Sequence, residues 1–228
     1  WRQYQTDYSA VRAQRILEWM VQLYKDQKND LALPDSDCFD IVLQSWARNR
    51  LPEAPTRAEK LLGMMEKLHQ ETESPKLRPR TLSFNAVLSA WGKSKDDDSW
   101  KRALGILSFM ENLHSIEKND RVAPDLITYH IVLGALARSG NAKAVAPKAD
   151  AIIRSIEKQY KAGTITWKPD TIIFNSAIGL WAKSSTTRAY RKARSLLDRQ
   201  LNMFHDGCEE CPPDVVGFTS VISSCASE

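Results

Sequence analysis

The chain has 228 residues, 43% hydrophobic and 26% charged, with 32 lysines and arginines against 28 aspartates and glutamates and a net charge of +4. That is an ordinary globular composition: no apolar run approaches the roughly 18 residues of a membrane span, and four unevenly placed cysteines make no disulfide framework, so no membrane partner and a reducing compartment are expected. No Gly-rich phosphate loop, HExxH or nucleophile elbow occurs, which argues against an enzyme, a cofactor or a small-molecule substrate. A pI near 8.8 is compatible with nucleic acid but below the marked basicity of a purely electrostatic binder.

In chain order, VRAQRILEWMVQLYK (11–25) reads as a helix and leads to PDSDCFDIVLQSWAR (34–48). The same phrase returns as PRTLSFNAVLSAWGK (79–93), PDLITYHIVLGALAR (124–138) and PDTIIFNSAIGLWAK (169–183), and again as PDVVGFTSVISSCA from Pro213. The leading prolines are spaced by 45 residues three times and then by 44, and Ala13, Ala58, Ala103 and Ala193 keep nearly the same beat. A fixed period of this size is the mark of a repeat array, in which each unit packs mainly on its neighbours.

Each phrase is predicted to be a helix despite its β-branched residues. In 171–183 the apolar residues Ile173, Phe174, Ala177, Ile178 and Trp181 follow helical spacing and not strand alternation. Pro-Asp explains the start, since proline ends the preceding segment and Asp170 can cap the orphan N–H groups. A short polar turn (NRLPEAP, KDDD, RSGN, SSTT) precedes a second, longer helix such as SWKRALGILSFMENLHSIEK or RAYRKARSLLDRQLNMF. The acidic run 96–99 is a turn with a helix N-cap, favoured by the positive helix end. The expected fold is all-α: a right-handed α-solenoid of helix–turn–helix repeats with a period of about 45 residues. Its divisions are 1–35 (second helix of a truncated leading unit), the full units 36–80, 81–125, 126–170 and 171–214, and 215–228 (first helix of a trailing unit).

Phe39, Phe84, Tyr129, Phe174 and Phe218 share one register position, and Trp46, Trp91 and Trp181 another, with Leu136 and Cys225 substituting. Both are expected to be core between the two helices of a unit. The alanines at 13, 58, 103, 149 and 193 are expected to let helices approach closely. HDGCEEC places His205, Cys208 and Cys211 at spacings a zinc site could use, with Cys225 the nearest fourth ligand by type. It occurs once, in a connector, and a plain loop with two thiols is the preferred reading, so no metal is assigned. His69 and His114, at one register position, are expected to be solvated.

The opening Pro-Asp, two aliphatics, a Thr-like residue, an aromatic, Asn and further apolar residues, as in PDTIIFNSAI and PRTLSFNAVL, resembles the start of a pentatricopeptide repeat. The likeness covers nearly the whole chain, although units here are longer by about ten residues than that family's usual repeat. The tetratricopeptide signature W-x₂-L-G-x₂-Y is absent from all four full units. The resemblance implies single-stranded RNA as partner, one base per repeat, read by two or three side chains. It further implies a role in organellar RNA processing, stability or translation, in the mitochondrion or chloroplast, with other RNA-processing proteins as further partners. The competing function is a protein-binding scaffold of tetratricopeptide type.

On that resemblance, base reading falls to the residue after each aromatic, Asp40, Asn85, His130, Asn175 and Thr219, partnered by the last residue of the unit, Arg80, Asp125, Asp170 and Asp214. Asn85 with Asp125 and Asn175 with Asp214 match the family's combination for uridine, and Thr219 resembles a purine reader. The other two pairs have no standard base, giving 5′-N-U-N-U-purine-3′. An amide can offer a base edge both a donor and an acceptor. Leu82, Ile127, Ile172 and Val216 are implied to sandwich the bases, with Asp37 in that place in the first full unit. Arg48, Lys93, Arg138 and Lys183, at a spacing of 45, form a ladder that resembles the family's phosphate contact; a helix C-terminus favours a basic residue there in any case.

Overall fold

A computed structural model describes residues 2–27, 29–116 and 118–226. Glu117 within the expected second helix, and Ser227 and Glu228 of the trailing unit, lie outside the described residues. The described residues are helical with no strand among them, in the all-α, helix–turn–helix class the period implies. The chain divides into two compact units, Trp1–Pro124 and Asp125–Glu228.

The first unit holds α1 (Arg2–Gln27), α2 (Ser36–Arg48), α3 (Ala54–Thr72), α4 (Thr81–Lys93) and α5 (Ser99–Ser115). The second holds α6 (Leu126–Arg138), α7 (Ala142–Lys161), α8 (Thr171–Ala182), α9 (Ala189–His205) and α10 (Val215–Cys225). Short helices therefore begin at Ser36, Thr81, Leu126, Thr171 and Val215, each two residues after a repeat proline. Four begin alike: Asp35, Asp125, Asp170 and Asp214 are N-caps whose carboxylates accept an N–H from Cys38, Thr128, Ile173 and Gly217. That bond satisfies one of the four donors a helix start leaves without a partner. Arg80 has no carboxylate to offer, and Ser83 Oγ instead accepts the Arg80 N–H at 3.4 Å. α5 ends earlier than the apolar pattern suggests, with Ile116 as its C-cap.

Phe39, Phe84, Tyr129 and Phe174 are 2% exposed or less. Trp46, Trp91, Leu136 and Trp181 are buried as well. The ring faces of the tryptophans meet cations from the second helix of the same repeat: Arg57 at 5.3 Å from Trp46, Arg102 at 5.8 Å from Trp91 and Lys192 at 6.0 Å from Trp181. Trp91 Nε1 also donates to Glu59 of the preceding second helix at 3.0 Å. At the trailing helix Phe218 and Cys225 are exposed. Ala58, Ala103, Ala149 and Ala193 are fully buried, whereas Ala13 is half-buried.

The extra length of these units goes partly into the connectors, which carry core residues of their own. Single 3-10 turns at Asp30–Ala32, Pro75–Leu77 and Asp120–Val122 precede three of the repeat prolines. Leu77 and Val122, two residues before their prolines, are buried; the ring of Trp167, at the same place, lies 5.4 Å from that of Tyr129 and tilted 43° to it. Thr81 Oγ1 reaches forward to the Arg121 and Ala123 carbonyls at 3.0 and 2.9 Å. Thr171 Oγ1 does the same to the Pro212 carbonyl at 2.7 Å, so these two connectors are tied to the first helix of their own repeat. Second helices are bridged by charge: Arg199 on α9 donates to Glu157 and to buried Asp150 on α7, each at 2.7 Å.

Two expectations about histidines need correction. His69 is half-buried, its Nδ1 2.9 Å from the Ser74 carbonyl. His114 is likewise half-buried, its Nδ1 3.4 Å from Asp120 Oδ1. Both fold back on the connector that follows their helix, which sets the Ser74 carbonyl or the Asp120 carboxylate beside the ring. No helix is long and apolar enough to cross a membrane among the described residues.

Candidate nucleic-acid interface

The position after each aromatic lies three residues beyond the aliphatic at 82, 127, 172 or 216, so the two share a helix face. Eleven residues, close to three full turns, separate the aliphatic from the basic residue at 93, 138 or 183, roughly 16 Å along the axis. In α4, α6 and α8 one face therefore carries an aliphatic near the helix start, a polar side chain one turn on, and a cation at the helix end.

The structure brings together the expected pairs at 40 and 80, 130 and 170, and 175 and 214. In the second unit Asn175 Nδ2 donates to Asp214 Oδ1 at 2.9 Å, the same oxygen that accepts the Gly217 N–H at 3.0 Å. His130 Nε2 lies 3.0 Å from Asp170 Oδ1 and 2.9 Å from Oδ2, while Asp170 Oδ1 also caps α8 through the Ile173 N–H at 3.1 Å. Each acid thus starts the next short helix and holds a side chain of its own repeat. Burial pushes the Asp214 carboxyl upward, but the N–H of Gly217 and the Asn175 amide outweigh it and leave its pKa below the ordinary carboxylate value.

The third pair is built differently. Arg80 Nε donates to Asp40 Oδ2 at 2.7 Å, a second guanidinium nitrogen meets Asp37, and Ser83 Oγ donates to Asp40 Oδ1 at 2.5 Å. Asp40 is 2% exposed, so both carboxylate oxygens are consumed inside the protein. The hydrogen bond to Asp40, followed by that to Asp37, raises the Arg80 pKa further above its ordinary value.

Asn85 is buried and Asp125 is half-buried. Asp125 caps α6, accepting the Thr128 N–H at 2.8 Å while Thr128 Oγ1 accepts the Asp125 N–H at 3.1 Å. Thr219 is exposed.

The amide at 175 departs from the expectation that both of its groups face a base. Asn175 Oδ1 is buried and has no hydrogen-bond partner among the described residues. It points at Gly217, where a Cβ would lie 2.9 Å from it. Reversing the amide would set its oxygen against the Asp214 carboxylate, so electrostatics fixes this orientation. The pair offers the remaining N–H of Asn175, a donor.

The four aliphatic positions do not pack at the helix starts. Leu82 is 45% exposed and Ile127, Ile172 and Val216 are each 59% exposed, at one register position and beside the polar pairs. Asp37, at the equivalent place, is exposed and held by Arg80.

The basic positions Arg48, Lys93, Arg138 and Lys183 are all exposed. Lys93 Nζ donates to the Ala47 carbonyl in the last turn of α2 at 2.7 Å, so it serves a helix C-terminus as well. The Arg138 guanidinium lies along its own helix beside Gly134.

The HDGCEEC segment gathers no ligand set. Cys208 and Cys211 are buried, with Cys208 Sγ 3.4 Å from the Pro169 carbonyl and Cys211 Sγ 3.3 Å from that of Cys208, whereas His205 is exposed. No group of three metal-ligating side chains converges among the described residues. Burial pushes the Cys211 thiol well above its ordinary pKa, and Gln200, fully buried, donates to the Cys211 carbonyl at 3.3 Å. Cys211 stands two residues before its repeat proline, as Leu77 and Val122 do in other connectors, and like them it is buried.

No protein-family model matches this chain, and no curated protein matches it. Among solved structures, the pentatricopeptide repeat protein PPR10 from maize is similar, with 16% sequence identity and a TM-score of 0.33. The match covers 97% of this chain and 36% of the maize protein, so the chain spans about a third of the length of that protein. The helical-repeat assignment accordingly stands on the spacing of the chain's own helices.

Proposed function

We propose that this chain binds single-stranded RNA, one base per repeat, by clamping bases between the aliphatic side chains at 82, 127, 172 and 216 and reading their edges with the polar side chains beside them. The observation that carries this reading is the exposure of Leu82, Ile127, Ile172 and Val216 next to acid-held polar groups at 130 and 175. Exposing a large aliphatic at four helix starts costs hydrophobic burial, and a stack of flat, apolar base faces is a ligand that would cover them. In this reading Asn175 with Asp214 takes uridine through the one outward N–H of the amide. Asn85 takes the other uridine and Thr219 a purine, in the order 5′-N-U-N-U-purine-3′. Arg48, Lys93, Arg138 and Lys183 are the phosphate contacts.

The same exposed aliphatics would also suit a protein partner, which is the second reading. They stand singly at one register position, and Leu82, Ile127 and Ile172 share their helices with a polar side chain and a cation, a pattern that suits alternating bases and phosphates better than a continuous apolar helix. Filter binding with short single-stranded RNAs tests the choice. Oligonucleotides carrying two uridines at alternate positions are expected to bind at least about tenfold more tightly than uridine-free ones. Equal affinity for the two sets overturns the base assignment, and no binding to either overturns the RNA reading.

A further inference from the structure

We propose that the repeat 126–170 reads its base with polarity opposite to the repeat that follows: His130 presents a hydrogen-bond acceptor and selects an exocyclic amine where Asn175 selects a carbonyl. The inference rests on the RNA-binding reading above and assigns a preference to a histidine–aspartate pair that the resemblance leaves without one.

The argument begins with the acid. A carboxylate can only accept hydrogen bonds, and Asp170 already accepts the Ile173 N–H that starts α8, at 3.1 Å. His130 Nε2 stands 3.0 and 2.9 Å from the two oxygens of that carboxylate, a distance that is favourable only if Nε2 carries the proton. The partner of one ring nitrogen decides the tautomer of the whole ring. In the neutral imidazole Nδ1 is then left with its lone pair, and among the described residues no hydrogen bond engages it. The ring is half-buried, 28% exposed at the side chain, so packing limits its rotation without closing it off.

The following repeat provides the contrast in the same setting. Asn175 Nδ2 spends one N–H on Asp214, its Oδ1 is buried against Gly217, and the remaining N–H is a donor. The two side chains occupy one register position, each is held by the N-cap acid of the next short helix, and each follows an exposed isoleucine by three residues. One therefore offers a lone pair where the other offers a proton. If the donor at 175 meets the C4 carbonyl of uridine, the acceptor at 130 requires an amine at the matching place. Cytidine differs from uridine there by carrying an amine in place of the oxygen, and adenosine carries the corresponding 6-amine.

The nucleotide read by 126–170 lies immediately 5′ of the uridine read by Asn175 and Asp214. Anisotropy titrations at pH 8 with oligonucleotides of the form 5′-XU-3′ in a constant context are expected to favour X as cytidine or adenosine over uridine or inosine by about tenfold. His130→Asn recreates the neighbouring pair and is expected to move the preference at X to uridine. Asp170→Asn keeps a cap oxygen for Ile173 but offers a donor to Nε2, so the cytidine preference is expected to vanish or reverse. Nitrogen-15 shifts of the His130 ring read the tautomer directly, with the proton expected on Nε2 in the wild-type chain and on Nδ1 in Asp170→Asn. A wild-type preference for uridine at X, no preference, or a proton on Nδ1 overturns the proposal. In the same titrations, retained selectivity for uridine at the adjacent position shows that RNA reading stands and this inference alone has failed; loss at both positions indicts the RNA reading itself.

Discussion

Asp214 Oδ1 accepts a hydrogen bond from Asn175, 39 residues earlier, and another from the N–H of Gly217 three residues later. One oxygen atom therefore joins a side chain on α8 to the first turn of α10. Asp214→Ala should remove both bonds and destabilise the protein by about 1 kcal/mol, the usual cost of losing an N-cap. Asp214→Asn retains a cap oxygen and should cost a few tenths of that. Urea denaturation of the two variants checks the ordering; equal losses would mean that the cap contributes little.

The pH dependence follows from the same carboxylate. Its pKa in the folded chain lies below the ordinary value of 3.8. A group of this kind contributes stability that is whole above its unfolded pKa and is lost as pH falls through the lower folded value. The stability difference between the wild-type chain and Asp214→Asn should therefore be constant from pH 7 to pH 5 and shrink below about pH 4. A difference that grows on acidification would contradict the assignment.

The repeat 36–80 should be silent. Asp40 is consumed by Arg80 and Ser83, so the nucleotide opposite this repeat should be replaceable by any of the four bases with less than about twofold change in affinity. Asp40→Ala should cost about 1–3 kcal/mol in folding, because it leaves the buried Ser83 hydroxyl without its acceptor. Parallel RNA titrations and chemical denaturation would check both statements.

Aliphatic and aromatic positions on the same helices should separate cleanly. Trp46→Ala empties a fully buried site and should lower stability by about 3–5 kcal/mol. The triple replacement of Leu82, Ile127 and Ile172 by Ala touches exposed side chains and should change stability little, while weakening RNA binding at least about tenfold. Loss of stability without loss of binding would mean that the aliphatics are packing residues after all.

Charge at the helix ends gives a salt test. Lys183→Ala should reduce the slope of log K against log salt by about 0.7, the value for one phosphate contact on a single strand. Arg48→Ala, in the silent repeat but on the same ladder, should do likewise. An unchanged slope in both would leave only the helix-end role already visible for Lys93 at the Ala47 carbonyl.

Much of the fold was legible because its signals are local and repeated. Proline followed by an acid, an aromatic four residues after that acid and a tryptophan seven further on mark a helix start, a core position and a second core position. Each recurs at the same interval, and the buried Phe39, Phe84, Tyr129 and Phe174 follow from them. The pairs at 40 and 80, 130 and 170, and 175 and 214 were legible only through a family likeness, since no periodicity says which of two side chains 40 residues apart will touch. Other features were not legible. Leu77 and Val122 sit in segments whose composition reads as connector, yet both are buried. The inward turn of Asn175 Oδ1 depends on Gly217, the missing side chain of the next helix. His69 and His114 looked solvated because a helical wheel does not include the connector that folds back over the helix end.

The double duty of the acids at 170 and 214 sets a rule for anyone recombining such arrays. A fragment boundary placed just before one of these acids would send the carboxylate with the downstream piece, and the upstream piece would lose the anchor of its recognition side chain. Cutting after the acid would strip the downstream helix of its first stabilising bond. Segments of this protein are therefore interchangeable only as overlapping pieces, each transplanted with its neighbour's opening residue.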